Sequence, residues 1–470
     1  MKQLRKRYRI ISFVCIFLLS IAMLYGVYSV STYGSRWVSR PNNIRNLNAE
    51  KNSIMGDIFD RNGHLLATST NEGERKYASN TLLRSAMVHI LGDEQGFIAN
   101  GVEDFHQHYL LDFHLTLGER IKNLLNGVPN KGDTIALTID SKLQTAIVEM
   151  FKSYNATKNT GASAVVMNYK TGEILAMVSF PVFDPENMSS KINDNPLQPF
   201  WNRATQALVP PGSIFKIITT SSALDNINNV TNITFNCTGA TRVGETFITD
   251  YNNDQHNQIS LSKAFRLSCN NTFAQIALKL QDEKLLQTAK EFGFNTHFLF
   301  RDIVLEDSIY PTSNRSQFEI AWTGVGQSKL LVTPVHMCMI ASAIANNGKM
   351  MEPRLIGKII SQTGEIRLPF ESTFFKQATS SKNAEIIKEY MREVVENGTA
   401  TRANVNGMKI HGKTGSAEAT STTTHAWFVG FNAQENLPIA VSVFVEGGNI
   451  GGKVAAPVAH DIFSYIKGHY

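Results

Sequence analysis

The chain has 470 residues, 43% hydrophobic and 18% charged, with no low-complexity tract; this composition excludes long disorder, and the length exceeds one ordinary core, so two or more folded domains are expected. The net charge is +5, and the five residues Lys2, Arg5, Lys6, Arg7 and Arg9 account for it, leaving 40 Lys and Arg (45 − 5) against 40 Asp and Glu. A balanced folded part argues against a nucleic-acid binder.

The first predicted element is Ile10–Val30, "IISFVCIFLLSIAMLYGVYSV", 21 residues without a charge. As a helix it spans about 31 Å, which matches a hydrocarbon core. The basic residues before it place the N-terminus in the cytoplasm and everything after Val30 outside, in a single pass. The run exceeds the roughly 7–15 apolar residues of a signal peptide, and no A-x-A site follows, so it reads as a retained anchor. Cys15 lies within it. The other cysteines, Cys237, Cys269 and Cys338, are odd in number and give no disulfide framework. A Cys237–Cys269 bridge stays open in an exported protein, with buried free thiols the favoured reading. No pair has C-x-x-C spacing, so no zinc or redox site is expected.

Residues 31–52 are polar and read as a juxtamembrane linker. "GDIFDRNGHLLATS", Gly56–Ser69, reads as a hairpin turning at Asp-Arg-Asn-Gly. "VEDFHQHYLLDFH", Val102–His114, gathers His106, His108 and His114 with Glu103, Asp104 and Asp112. Histidines two apart leave a helix in different directions and H-E-x-x-H spacing is absent, so the segment reads as a polar helix surface and not a metal site. From Thr134 come a β-branched strand, "TIALTID", and an amphipathic helix, "SKLQTAIVEMFKSY", with Ser141 as its N-cap. Two strands joined by a turn cover Ala162–Phe180. A proline-rich loop fills 181–212. Helices are expected to dominate from Ser213 to about Asn347. Strands return in "GMKIHGKTGSAE", "AWFVGFNA" and "LPIAVSVFVEGG", and a helix from about Pro457 closes the chain. Strands on both sides of a helical block predict a large α+β domain with one sheet assembled from both ends.

Three short motifs carry chemistry. "VPPGSIFKII" sets Ser213 and Lys216 three apart, on one face of a helix begun after Pro-Pro-Gly. A serine hydroxyl needs a base, and a lysine serves as one only when burial or nearby positive charge keeps it neutral. "LSCNN" sets Ser268 and Asn270 in an S-x-N arrangement. "HGKTGSAE" supplies Lys413, Thr414, Gly415 and Ser416 on an edge-like strand.

In this order, S-x-x-K, S-x-N and K-T-G resemble the motif set of penicillin-binding proteins and class A β-lactamases. Over nearly its whole length the chain resembles a class B penicillin-binding protein, a monofunctional peptidoglycan transpeptidase. "GDIFDRNGHLLA", "GEILAMVSFPVFDPEN", "NRATQALVPPGSIFK", "WTGVGQSKLLVTPVHMCMIASAIANNGKMMEPRLI" and "HAWFVGFNA" carry the likeness beside the three motifs.

The resemblance implies a cytoplasmic tail over 1–9 and a transmembrane anchor over 10–30. An elongated pedestal, a dimerisation-like domain, would follow over 31–140. A transpeptidase domain over 141–470 would hold an antiparallel sheet flanked by helices and a helical subdomain. It implies that Ser213 is acylated by the penultimate D-alanine carbonyl of a stem peptide, and by β-lactams. Lys216 would take the serine proton, Ser268 would relay a proton to the leaving amine near Lys413, and Asn270 would hold the substrate amide. Thr414, Ser416 and Lys413 would bind the substrate carboxylate, the backbone N–H groups of Ser213 and Ser416 would form the oxyanion hole, and Gly415 would allow close approach. No cofactor and no metal is implied. The partner expected by resemblance is a SEDS-family membrane glycosyltransferase. Three positions depart from the pattern: Ile214 inside the first motif, Cys269 inside S-x-N, and Ser416 where Thr is usual.

The rivals are a D,D-carboxypeptidase, a β-lactamase, a β-lactam sensor and a catalytically silent scaffold. "EFGFN", Glu291–Asn295, matches the E-x-x-x-N string of a deacylating loop. It reads better as a helix C-terminus closed by Gly293.

Overall fold

The basic tail and the uncharged run after it form one helix, Lys2–Val38, in a computed structural model that describes residues 2–38, 54–98, 100–111, 117–127, 130–189, 191–313 and 315–470. Its stretch Arg9–Ser29 is long and apolar enough to cross a membrane, and the large apolar side chains there are exposed. The helix carries on to Val38, so the linker expected from residue 31 begins as helix; the rest of it lies outside the described residues.

The Asp-Arg-Asn-Gly turn forms as expected. Its strands are β1 (Ile58–Phe59) and β2 (Leu65–Ser69), antiparallel with Ile58 opposite Ala67. The Asp60 carboxylate accepts from the backbone N–H of Asn62 and His64, each at 2.8 Å, closing the turn on itself. β3 (Arg75–Tyr77) pairs with β2, and β4 (Thr134–Leu137) runs parallel to β1.

The 102–111 stretch is not the polar surface its sequence suggested. Glu103 is buried, with Arg75 Nε 2.6 Å and Tyr77 Oη 2.9 Å away. His106 is buried too, its Nε2 3.4 Å from the Asp302 carbonyl. A buried cation and a backbone acceptor offset the desolvation that made a surface the simpler reading. Asp112 and His114 lie outside the described residues.

Helix Ser141–Ser153 is capped one residue earlier than expected. Asp140 accepts from Lys142 N and Leu143 N at 3.0 and 3.1 Å, and Ser141 instead donates to Asp60 Oδ2 at 2.6 Å. A carboxylate is the stronger acceptor for the positive end of a helix.

The central sheet uses β5 (Ala162–Asn168) and β6 (Ile174–Phe180), which are almost wholly buried. Such continuous apolar strands need cover on both faces, each large side chain contributing about 1.5–3 kcal/mol when buried. The block expected to be helical after Ser213 is interrupted by two small sheets. β7 (Thr234–Cys237) pairs with β10 (Asn257–Ser260), and β8 (Ala240–Val243) with β9 (Thr246–Thr249). Alternation of β-branched or aromatic residues with polar ones suits half-exposed strands. After helix Pro334–Ala345 come β11 (Lys349–Met351), β12 (Ile356–Ile360), β13 (Ile366–Pro369) and β14 (Phe374–Gln377). β12 and β13 join the first sheet in the order β13-β12-β4-β1-β2-β3.

β15 (Ile410–Glu418), β16 (Thr424–Asn432) and β17 (Ile439–Val445) complete the central sheet in the order β15-β16-β17-β5-β6. Its neighbours are all antiparallel, and both ends of the α+β unit contribute strands. Helix Pro334–Ala345 packs on β5, β16 and β17; Ala455–His469 packs on β16 and β17, and Ser141–Ser153 on β6. β15 is an edge strand, with no further strand paired beyond it among the described residues.

Candidate active site

Pro-Pro-Gly sets the geometry of the first motif, though not as a simple helix start. Gly212 sits at φ +58°, and its N–H donates to Gly326 O at 2.8 Å. The chain then enters a 3-10 turn, Gly212–Phe215, and the α-helix begins at Lys216. The helix therefore starts as a tighter turn one residue before Ser213, because the left-handed glycine redirects the chain there. Gly326, at φ +100°, could not carry a side chain: a Cβ would lie 1.8 Å from Gly212 O. Pro210 O accepts from the Trp427 indole at 3.1 Å, which pins the segment to β16.

Ser213 is half-buried on the wall of a cleft of about 990 Å³. It stands in the first helical turn, where backbone N–H groups lack intrahelical acceptors. Lys216, one turn along, is fully buried. Its amine is directed at Ser268 O (2.6 Å), Asn270 Oδ1 (2.8 Å) and Ser268 Oγ (3.3 Å), and not at Ser213 as the i,i+3 spacing had suggested. Two of these partners can only accept. A neutral amine would satisfy both with its two protons and keep its lone pair for a hydroxyl.

Ser268 ends helix Leu261–Leu267 in a left-handed conformation, φ +60°. Cys269 then caps helix Asn270–Glu291. The left-handed residue lets two helix ends meet, so Ser268 and Asn270 both face Lys216. Asn270 Nδ2 donates to Thr249 O at 3.0 Å, which fixes the amide's orientation.

Lys413 is buried on β15 and donates to Ser268 Oγ (2.9 Å) and Thr414 O (3.0 Å). Ser268 Oγ thus lies between two lysine amines. Burial pulls the Lys216 amine down to about 8, with the charges of Cys269 and Asp250 opposing the shift. Burial, then the charge of Lys216, pulls Lys413 well below its ordinary value. Two buried amines sharing one hydroxyl favour a neutral form, which is the condition for a base.

Thr414 Oγ1 lies 2.5 Å from Thr399 Oγ1, Ser416 is exposed in the cleft, and its Oγ accepts from Gly451 N at 3.3 Å. Gly415 is explained by packing: a Cβ would come 3.0 Å from Pro211 O and 3.2 Å from Ile214. Ile214 is fully buried against this strand. Of the eight residues picked out by their motifs, Ser213, Ser268, Asn270, Thr414 and Ser416 line one cleft, and Lys216, Lys413 and Gly415 are buried behind its wall.

Sequence reading missed other parts of the wall: Thr399, Arg402, Lys453, Trp322 and Gln327. Trp322 and Gln327 stood inside a quoted similar stretch, but Thr399, Arg402 and Lys453 had no motif to mark them. Glu291 does not line the cleft. It ends the helical segment that follows a break at Gln281, φ +60°, and Gly293, φ +99°, comes two residues later. That arrangement supports the helix-end reading of "EFGFN".

Three comparisons agree with this geometry. Residues 162–464 match the family model "Penicillin binding protein transpeptidase domain". The chain is 28% identical over 375 residues to peptidoglycan D,D-transpeptidase PbpA of Mycobacterium tuberculosis, covering 73% of this chain and 74% of that protein. It is 30% identical over 351 residues to stage V sporulation protein D of Bacillus subtilis, covering 71% of this chain and 53% of that one. The solved penicillin G acyl-enzyme complex of penicillin-binding protein A from M. tuberculosis superposes with a TM-score of 0.79 at 25% identity, over 88% of this chain and 100% of that one.

Proposed function

The chain belongs to the penicillin-binding protein transpeptidase family, and from that premise we propose that Ser213 is the nucleophile of a peptidoglycan D,D-transpeptidase that is also acylated by β-lactams. The observation that carries the reading is the Lys216–Ser268–Lys413 arrangement beside Ser213, two buried amines within 3.3 Å of one hydroxyl.

Ser213 Oγ attacks the penultimate D-alanine carbonyl as its proton passes to the neutral Lys216 amine. The developing oxyanion is held by the backbone N–H groups of Ser213 and Ser416. The C–N bond breaks, and Ser268 passes a proton to the departing D-alanine amine, resupplied from the lysines on either side. An amine of a neighbouring stem peptide then attacks the acyl-enzyme; the new C–N amide bond forms as the ester bond to Ser213 Oγ breaks, and the proton lost by the amine returns through the lysines to Ser213 Oγ. Asn270 holds the substrate amide. Thr414, Ser416 and Lys413 hold its carboxylate, and the outer side of β15 accepts the peptide as an added strand.

The full chain in detergent, given a labelled pentapeptide donor and an amine acceptor, is expected to form the cross-linked product and release D-alanine. Release of D-alanine with only the hydrolysed tetrapeptide formed, at any acceptor concentration, would make it a carboxypeptidase and sink the proposal.

Helix Lys2–Val38 acts as a single-pass anchor in this reading. Its basic end faces the cytoplasm and the catalytic unit the outside, on the strength of the Lys2–Arg9 charges. Residues 31–140 serve as the pedestal, and a SEDS-family glycosyltransferase is the proposed partner. That enzyme is expected to co-purify with the full chain, and to be lost when residues 1–140 are exchanged for an unrelated anchor and spacer. Retention by the exchanged chain would count against the pedestal as the docking element.

A further inference from the structure

One helix of the pedestal turns its apolar side outward. Helix Leu117–Asn126, "LGERIKNLLN", sets Ile121, Leu124 and Leu125 on one face, since positions three and four apart share a side. Their side chains are 50%, 80% and 81% exposed. Leu124 and Leu125 are more exposed than any other large apolar residue among those described, the spanning stretch included. Asn123 lies on the opposite face, and its Nδ2 donates to Asn130 Oδ1 at 3.1 Å. The polar side is therefore the one tied back to the protein. A surface helix of a water-soluble unit does the reverse and turns its apolar stripe to the core.

This helix stands at the end of the molecule where the chain arrives from the anchor. It belongs to an excursion between Leu111 and Asn130, and both feet of that excursion are bonded to Ile54 and Gly56, among the first described residues after helix Lys2–Val38. Gly56 N donates to Leu110 O at 2.9 Å, Ile54 N to Asn130 O at 3.2 Å, and Gly132 N to Ile54 O at 2.8 Å. The two feet touch: a Cβ on Gly132 would lie 1.6 Å from Leu110 O. The anchor helix packs on the short helix Val102–Phe105 just before the excursion, and Ser29, at the end of the spanning stretch, is buried.

We propose that helix Leu117–Asn126 is an interfacial membrane contact, given the single-pass anchor proposed above: Ile121, Leu124 and Leu125 sink into the headgroup and acyl boundary of the bilayer that the anchor spans. Three features favour lipid over a protein surface. The outward face is aliphatic, without the Trp, Tyr or Arg that dominate protein–protein hot spots. The helix sequence carries Arg120 and Lys122 against Glu119, and a basic amphipathic helix suits an anionic lipid surface, whereas lysine is depleted from protein interfaces. The feet beside the anchor also make the bilayer the nearest apolar medium. A spanning helix fixes one point of the chain; this second point sets the tilt of the catalytic unit over the membrane.

The test uses the full chain in vesicles of phosphatidylethanolamine and phosphatidylglycerol, with no other protein present. Cys15→Ala removes the exposed thiol, and a nitroxide is attached through Leu124→Cys or, on the polar side, Asn126→Cys. The label at 124 is expected to be several-fold more accessible to oxygen, which partitions into the bilayer, than to a water-soluble nickel chelate. The label at 126 is expected to show the opposite preference. Adding Ile121→Glu and Leu125→Glu is expected to remove the oxygen preference at 124. A label at 124 as open to nickel as the one at 126 overturns the proposal. So does a label closed to both reagents, which would mark contact with a second copy of the chain. A lipophilic diazirine dissolved in the bilayer needs no variant: photolysis is expected to modify residues 121–125 of the unaltered chain, and their full protection overturns the proposal. Vesicle flotation reports the anchor separately. A chain that does not float overturns both readings, and one that floats with residues 121–125 unmodified overturns this one alone.

Discussion

Ser213→Ala is expected to abolish covalent labelling of the full chain by a fluorescent penicillin, lowering the acylation rate by roughly 10⁴–10⁶-fold. The control that gives the result meaning is Ser268→Ala. Ser268 is the serine whose hydroxyl touches both buried lysines, so by contact alone it is the rival nucleophile. Three observations favour Ser213. It lies on the cleft wall in a first helical turn with backbone N–H groups available to an oxyanion. Gly212 and Gly326 permit a backbone contact that places it there and no other residue type could make. Ser268, in contrast, is already engaged by two amines, as a proton relay would be. Ser268→Ala is accordingly expected to slow labelling by about 10²–10⁴-fold and leave the adduct on Ser213. Mass spectrometry of the labelled peptide decides between them; an adduct on Ser268, or full labelling of Ser213→Ala, would overturn the assignment. The melting temperature of Ser213→Ala should stay close to that of the parent chain, because a partly exposed hydroxyl outside the core changes stability by about 0.5 kcal/mol or less.

Lys216→Met carries the second large effect. The parent chain's acylation rate is expected to rise with pH through about 8 and then level off, because burial brings the Lys216 amine to about that value and only its neutral form accepts the serine proton. The direction follows from the charge: raising pH removes the proton from the amine and so increases the fraction of active base. Methionine keeps much of the side-chain volume and removes the base, so the rate should fall by about 10²–10⁴-fold and lose that rise with pH. Lys216→Arg cannot lose its proton and should be as slow. Removal of the amine also leaves Ser268 O and Asn270 Oδ1 without their donor, a cost of roughly 1–3 kcal/mol each, visible as a lower melting temperature. A well-folded Lys216→Met chain that kept the parent's rate and pH profile would remove Lys216 from the mechanism.

Much of the catalytic apparatus was legible because it is written locally. Ser213 and Lys216 are one turn apart, Ser268 and Asn270 flank one residue, and Lys413 to Ser416 lie on a single strand. Short-range stereochemistry places each group within its own motif, and a strand whose apolar run is unbroken announces that both its faces are covered. What the linear reading got wrong depended on long-range partners. Glu103 and His106 look like surface residues until Arg75, Tyr77 and Asp302 are brought to them. The hydrogen-bond partners of Lys216 are likewise unannounced by its spacing from Ser213, since Ser268 and Asn270 arrive from 52 and 54 positions away.

The sequence by itself determined the uncharged run of the N-terminal helix, the main strands and the three motifs, because each is set by neighbours within a few residues. Only the tertiary structure decided that Lys216 and Lys413 share one hydroxyl in a buried site, which is what lowers their proton affinity; desolvation depends on the whole shell of atoms around a group. It also decided that helix Leu117–Asn126 stands near the anchor with its apolar side outward. That position needs Leu110 and Asn130 to be bonded to Gly56 and Ile54, and no spacing rule encodes contacts between residues so far apart in the chain.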